Sequence, residues 1–237
     1  MDIGPDMSAR LRHANRRAHR PRPFRARLVL SLHGHAHRGA RLEIRTLLQY
    51  AQAWIDFRGR RETRPPNINW FENSVTATLA QRAYCIRLHQ KFPGYSEDVW
   101  GITASDSVKG YVAWGGPPDD PRVDGTVVPS APAGSLMFTP RESLRALRKM
   151  KQLYGDRIYG RYGFADAFNP TTGWVDSDVI GIDVGITLVG AENLATGKVW
   201  TWFMQNSEIR DAQVKIGLTS SPGAGPEKIL PGGSRKP

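Results

Sequence analysis

Apolar positions along the chain fall into a few helical repeats, separated by long stretches with no period. Phe71, Val75, Leu79, Arg82 and Ile86 recur every three or four residues, predicting a helix of about five turns with one apolar stripe. Asn67 or Asn69 can cap it after the break at Pro65-Pro66. Leu144, Leu147, Met150 and Tyr154 form a second stripe. It opens at Thr139-Pro140-Arg141-Glu142, where Thr139 is a good N-cap, Pro140 suits the first helical position and Glu142 completes a capping box. Gly155 is placed to end that helix in a left-handed conformation. Residues 182–194 and 199–216 are helical by period, with Thr196-Gly197 between them. Residues 93–135 and 159–174 instead mix Gly, Pro, aromatic and polar residues, and long aperiodic loops inside a domain point to function. Alternating β-branched runs are few, so the expected fold class is all-α, or mostly α with long loops.

Charge divides the chain. The net +11 is concentrated in residues 1–50, which hold eleven Arg and three acids, a balance of +8, leaving +3 for the rest. Five of the six His also lie in that stretch. Residues 1–46 are therefore expected to be an Arg/His-rich arm, either disordered or an out-of-frame translation of a GC-rich gene. The rival reading is a nucleic-acid or polyanion-binding arm that contacts phosphates. The apolar residues 28–32 make a core shorter than the roughly 7–15 that a secretory signal needs, so no signal peptide is expected. Residues 219–237 are rich in Pro, Gly and Ser and are expected to be a disordered tail, leaving 47–218 as the domain. No run approaches the roughly 18–20 apolar residues that span a bilayer, so no membrane partner is expected.

Several chemistries lack their residues. The lone Cys85 excludes an internal disulfide framework and reads as a small core residue. His89 stands alone beyond the arm, so no metal site is expected. Nor does a glycine-rich phosphate loop follow a strand and open a helix, so no cofactor is expected. What remains is carboxylates set among rings: Glu97 between Tyr95 and Trp100, Asp106 before Tyr111, Asp166 between Phe164 and Phe168, and Asp183 in Gly181-Ile182-Asp183-Val184-Gly185. Any one such acid reads first as a cap, an Asx turn or a surface salt bridge. Together they suit carbohydrate chemistry, in which aromatic faces stack on pyranose rings and a carboxyl pair cleaves the glycosidic bond.

Ordered motifs sharpen this reading. Trp54-Ile55-Asp56-Phe57-Arg58-Gly59, Phe71-Glu72-Asn73-Ser74, Trp100-Gly101-Ile102-Thr103-Ala104-Ser105-Asp106, Asp124-Gly125-Thr126-Val127-Val128-Pro129, Tyr162-Gly163-Phe164 to Asn169, Gly181 to Gly185, Glu192-Asn193 and Trp200 to Met204 follow one another in the chain. In that order they resemble the glucoamylase-like domain, a family that includes bacterial endo-β-1,2-glucanases. Val184, Gly190-Ala191 and Ser107-Val108 depart from its usual pattern. The resemblance implies an (α/α)6 toroid, of which residues 47–218 would be the C-terminal half, and hydrolysis of β-glucan, most simply β-1,2-linked, without metal or organic cofactor. It implies Asp183 as an acid/base carboxylate, with Glu97 and Asp166 as further acid/base or hydroxyl-orienting groups. Tyr95, Trp100, Asp106, Tyr111, Phe164, Asn169 and Trp174 would line the substrate. Relatives are expected in the periplasm or outside the cell, and half a toroid is expected to be weakly active.

Overall fold

The computed structural model describes residues 44–114 and 120–220, with side chains from Gln49 onward, all within one compact unit that begins at Arg41. The basic arm and the tail beyond Ser220 lie outside the described residues. The architecture is mostly helical: α1 (Ile44–Trp54), α2 (Trp70–Arg87), a short α3 (Ser130–Ala133), α4 (Pro140–Tyr154), α5 (Gly181–Ala195), α6 (Lys198–Phe203) and α7 (Ser207–Lys215). Among the described residues, strands occur only as two-stranded antiparallel pieces: β1 (Arg60–Glu62) with β6 (Leu218–Ser220), β2 (Tyr159–Gly160) with β3 (Gly163–Phe164), and β4 (Phe168–Asn169) with β5 (Trp174–Val175). Thr219 and Ser220, expected in the tail, pair instead with Arg61 and Arg60. No described helix is long and apolar enough to cross a membrane.

Asn69 caps α2, its side-chain oxygen accepting from the N–H groups of Phe71 and Glu72 at 3.1 Å each. The buried face of α2 differs from the predicted stripe. Ser74, Ala77, Thr78, Gln81, Tyr84 and Cys85 are buried, whereas Leu79 is 41% exposed. The Ser74 and Thr78 hydroxyls bond back to carbonyls one turn earlier, which conceals their polarity, and Gln52 of α1 donates to Ser74 Oγ at 2.7 Å. A polar seam thus joins α1 to α2 where periodicity alone predicts an apolar one.

A similar correction applies to α4. Thr139 occupies the N-cap but makes no capping bond; its hydroxyl meets Ser143 Oγ at 3.0 Å, while Glu142 turns to Arg141. The buried positions are Ser143, Ala146 and Met150, and α3 packs on this helix. Small residues at the contact let the elements approach, so Leu144 is left at the rim. Residues 199–216 split into α6 and α7, because Asn206 adopts extended backbone before α7 begins.

The aperiodic loops form the main core. Tyr95, Val99, Trp100, Ile102, Val127, Val128 and Phe168 pack there with Cys85 of α2 and Met150 of α4. A second cluster joins Ala53, Met137, Phe138, Ile186 and Trp200. Asn193 fastens it, donating to Ala53 O at 2.7 Å and accepting from the Trp200 N–H at 3.1 Å.

Candidate active site

Three pieces of chain bring carboxylates together. The first is the loop carrying Asp106, closed by paired backbone bonds between Ser105 and Val112 and between Ser107 and Gly110. The second is the hairpin of β4 and β5. Its ladder runs on past the strands, with the Asp176 N–H donating to Ala167 O and the Asp166 N–H to Asp178 O, both at 2.9 Å, and so fixes the backbone of both acids. The third is the first turn of α5, which presents Asp183 where the unpaired N–H groups of a helix favour an anion. Carboxylate oxygens of Asp106, Asp166 and Asp176 lie within 4.8 Å of one another, and Asp183 stands near enough to Asp166 to help push its pKa up.

Asp166 is the pivot. It is 5% exposed, and its Oδ2 accepts the Asp106 N–H at 3.0 Å. Burial pushes its pKa up to about 7, helped by the hydrogen bond to Asp183 and by the charges of Asp183 and Asp176, while the Asp106 N–H pulls the other way. Tyr50, from α1, closes the opposite side: its hydroxyl donates to Ile182 O at 3.1 Å, and burial together with the Asp183 charge pushes its pKa up to about 12. It therefore stays a neutral donor.

Three carboxylates at this spacing supply the oxygens that hard cations prefer. Asp166 Oδ2 already accepts the Asp106 N–H at 3.0 Å.

Of the predicted residues, Asp106, Asp166 and Asp183 meet here. Glu97 is paired elsewhere. Its side chain is 70% exposed and pairs with Arg82 at 3.5 Å, an ordinary surface ion pair. Tyr95 and Trp100 are core residues at 0% and 1% exposure, and the Tyr95 hydroxyl is spent on Thr126 O, so neither offers a ring face to a ligand. Asn169 is also structural: it donates to Asp124 O and accepts from the N–H groups of Thr171 and Thr172. Phe164 and Trp174 are half-buried, Phe164 edge-on to Tyr159 and Trp174 against the main core. Tyr111, 69% exposed beside the Ser105–Val112 bridge, remains free to stack. Asp176 and Tyr50 are additions. Asp176 had a signal, an acid directly after Trp174-Val175; Tyr50 had none.

Residues 46–207 match the family model described as "Putative glucoamylase". The chain belongs to this glucoamylase-like family. A curated member, the exo-β-1,2-glucooligosaccharide sophorohydrolase (non-reducing end) of Parabacteroides distasonis, is 36% identical over 148 residues, 62% of this chain and 20% of the relative. The solved endo-β-1,2-glucanase of Chitinophaga pinensis, in complex with sophorotriose and glucose, matches with a TM-score of 0.70 at 30% identity, over 79% of this chain and 43% of that one. The solved β-1,2-glucanase of Parabacteroides distasonis matches with a TM-score of 0.68 at 31% identity, over 75% of this chain and 24% of that one. The glucoamylase-like chain thus spans less than half the length of each of these relatives.

Proposed function

We infer that the site acts on a β-1,2-linked glucan, with Asp183 as an acid/base carboxylate and Asp106 and Tyr111 facing the sugar. The observation that carries this is the carboxyl pair of Asp166 and Asp183, at the start of a helix, in a family whose members named above hydrolyse β-1,2-glucans. A buried carboxyl titrating near 7 is the kind of group that exchanges protons at working pH. The helices α1, α2, α4 and α5 would form an arc of the family's (α/α)6 toroid, and the substrate would lie along the exposed side of Tyr111. The polar rim of Asp106 and Asp176 suits sugar hydroxyls, which donate readily to carboxylate oxygens.

Release of reducing ends from β-1,2-glucan tests the assignment. Asp183→Asn should lower turnover by about 10²–10⁴-fold, the usual loss of an acid/base group. A variant that retained more than about a tenth of the parent rate would remove Asp183 from that role.

A further inference from the structure

Residues 105–112 fold back on themselves as a tight hairpin. Ser105 exchanges both backbone bonds with Val112, at 3.2 and 2.9 Å, and Ser107 exchanges both with Gly110, at 3.0 and 2.9 Å. Asp106 and Tyr111 are therefore the directly opposed pair between those rungs, and the pleat puts their side chains on one face. Ser105 and Ser107 belong to the other face, where both are buried and their hydroxyls are spent on Asp106 O and Gly110 O. The same alternation turns the N–H groups of Asp106 and Tyr111 away from the ladder. The Tyr111 N–H meets no acceptor among the described residues, whereas that of Asp106 donates to Asp166 Oδ2 at 3.0 Å. Among the described residues this is the one hydrogen bond that ties the hairpin to a segment distant in sequence.

We propose that Asp166 is a positioning residue for this hairpin: by accepting the Asp106 N–H it ties Asp106, and with it Tyr111, to the hairpin of β4 and β5, and so sets the carboxylate and the ring where a sugar meets them. This rests on the reading of Asp106 and Tyr111 as the sugar-facing pair, and it gives Asp166 a task carried through its neighbours rather than on the reacting atoms. Asp166 is itself held firmly. It is 5% exposed, its own N–H donates to Asp178 O at 2.9 Å, and the Ala165 N–H before it donates to Ile158 O at 2.9 Å. The outer part of the 105–112 hairpin, by contrast, stands in solvent, with Val108 55% and Tyr111 69% exposed. A ring that open has little packing of its own, so its place is set by the backbone that carries it. Carboxylate oxygens of Asp106, Asp166 and Asp176 also lie within 4.8 Å of one another, so a shift of the hairpin alters the polar rim together with the ring. Freed of the bond, the hairpin would have to be ordered each time a sugar bound, and the affinity would carry that cost.

Amide hydrogen exchange of the 237-residue chain, read by NMR, tests the tie directly. In the parent, the Asp106 N–H should be protected about tenfold more than that of Tyr111, its counterpart across the hairpin. Asp166→Ala should abolish this difference and weaken sophorotriose binding, followed on the Tyr111 ring resonances, by about tenfold. Asp166→Asn, whose side-chain oxygen can still accept the N–H, should keep the difference and hold the affinity within about threefold of the parent. Exchange from the amides of α2 should be the same in all three proteins, which separates loss of the tie from loss of the fold. Should Asp166→Ala not fold, the comparison of Asp106 with Tyr111 in the parent still decides. The proposal is overturned by an Asp106 N–H as fast as that of Tyr111 in the parent, or by protection that survives Asp166→Ala. An unchanged affinity in Asp166→Ala, or an asparagine variant as weak as the alanine one, overturns it equally. A parent that binds no sophorotriose while its Asp106 N–H stays protected sinks the glucan reading and leaves the tie standing.

Discussion

Replacing Asp166 with Asn should change how the stability of the chain depends on pH. Unfolded, Asp166 gives up its proton near the ordinary 3.8; folded, it does so at about 7. The folded chain therefore binds this proton more tightly than the unfolded one. It follows that the stability Asp166 contributes is fully present below 3.8 and is lost as the pH rises through 7. At about 1.36 kcal/mol for each pKa unit, the difference between folded and unfolded values is worth about 4 kcal/mol. That is a large share of the roughly 5–15 kcal/mol that holds a typical domain together. Asparagine fills the same space, keeps a donor toward Asp183 and an acceptor for the Asp106 N–H, and does not titrate. The variant should therefore gain on the parent between pH 4 and pH 8, by up to about 4 kcal/mol. Urea unfolding followed by circular dichroism reads this directly. With a slope of about 2 kcal/mol per molar, the gap between the two midpoints should widen by about 2 M across the range. Stability curves that run parallel, with a gap constant to about 0.5 kcal/mol, would refute the claim that Asp166 is protonated by its surroundings.

Other substitutions test the frame around the site. Gly101→Ala should destabilise by about 2–4 kcal/mol, because φ there is +144° and a Cβ would lie 2.8 Å from Pro132 Cδ and against the Val128 carbonyl; urea midpoints check this. Asn69→Ala should cost about 1 kcal/mol through loss of the α2 cap, whereas Asn69→Asp should restore most of it in the same assay. Asn193→Ala should cost about 2–4 kcal/mol, since it strands the buried Ala53 carbonyl and Trp200 N–H; thermal unfolding should show the lowered midpoint, and the loss of near-ultraviolet dichroism should centre on Trp200.

Much of the local structure was legible from residues alone, because it depends on neighbours in sequence. The Asn69 cap rests on a side-chain oxygen and backbone N–H groups two and three residues on, and the start of α4 rests on Pro140 in its first turn, whose ring pre-sets φ. The acids worth considering were legible too, since carboxylates in ring-rich, aperiodic segments stand out against a helical background. Burial and partnership depended on the tertiary structure. Periodicity selected Leu79 and Leu144 for the core, yet α2 and α4 bury Ser74, Thr78 and Ser143, whose hydroxyls can satisfy themselves on their own helix while small side chains admit a close neighbour. Tyr95 and Trp100 carry the same chemistry in sequence as Tyr111, but the first two fill the space beneath the loops and only the last faces outward. Asp106, Asp166 and Asp183 meet because a loop closure, a hairpin register and a helix start converge, and Tyr50 reaches Ile182 across 132 positions of chain. No local pattern encodes such a meeting, for the free energy that creates it comes from the packing of whole elements, and the raised pKa of Asp166 exists only once that packing has taken the water away.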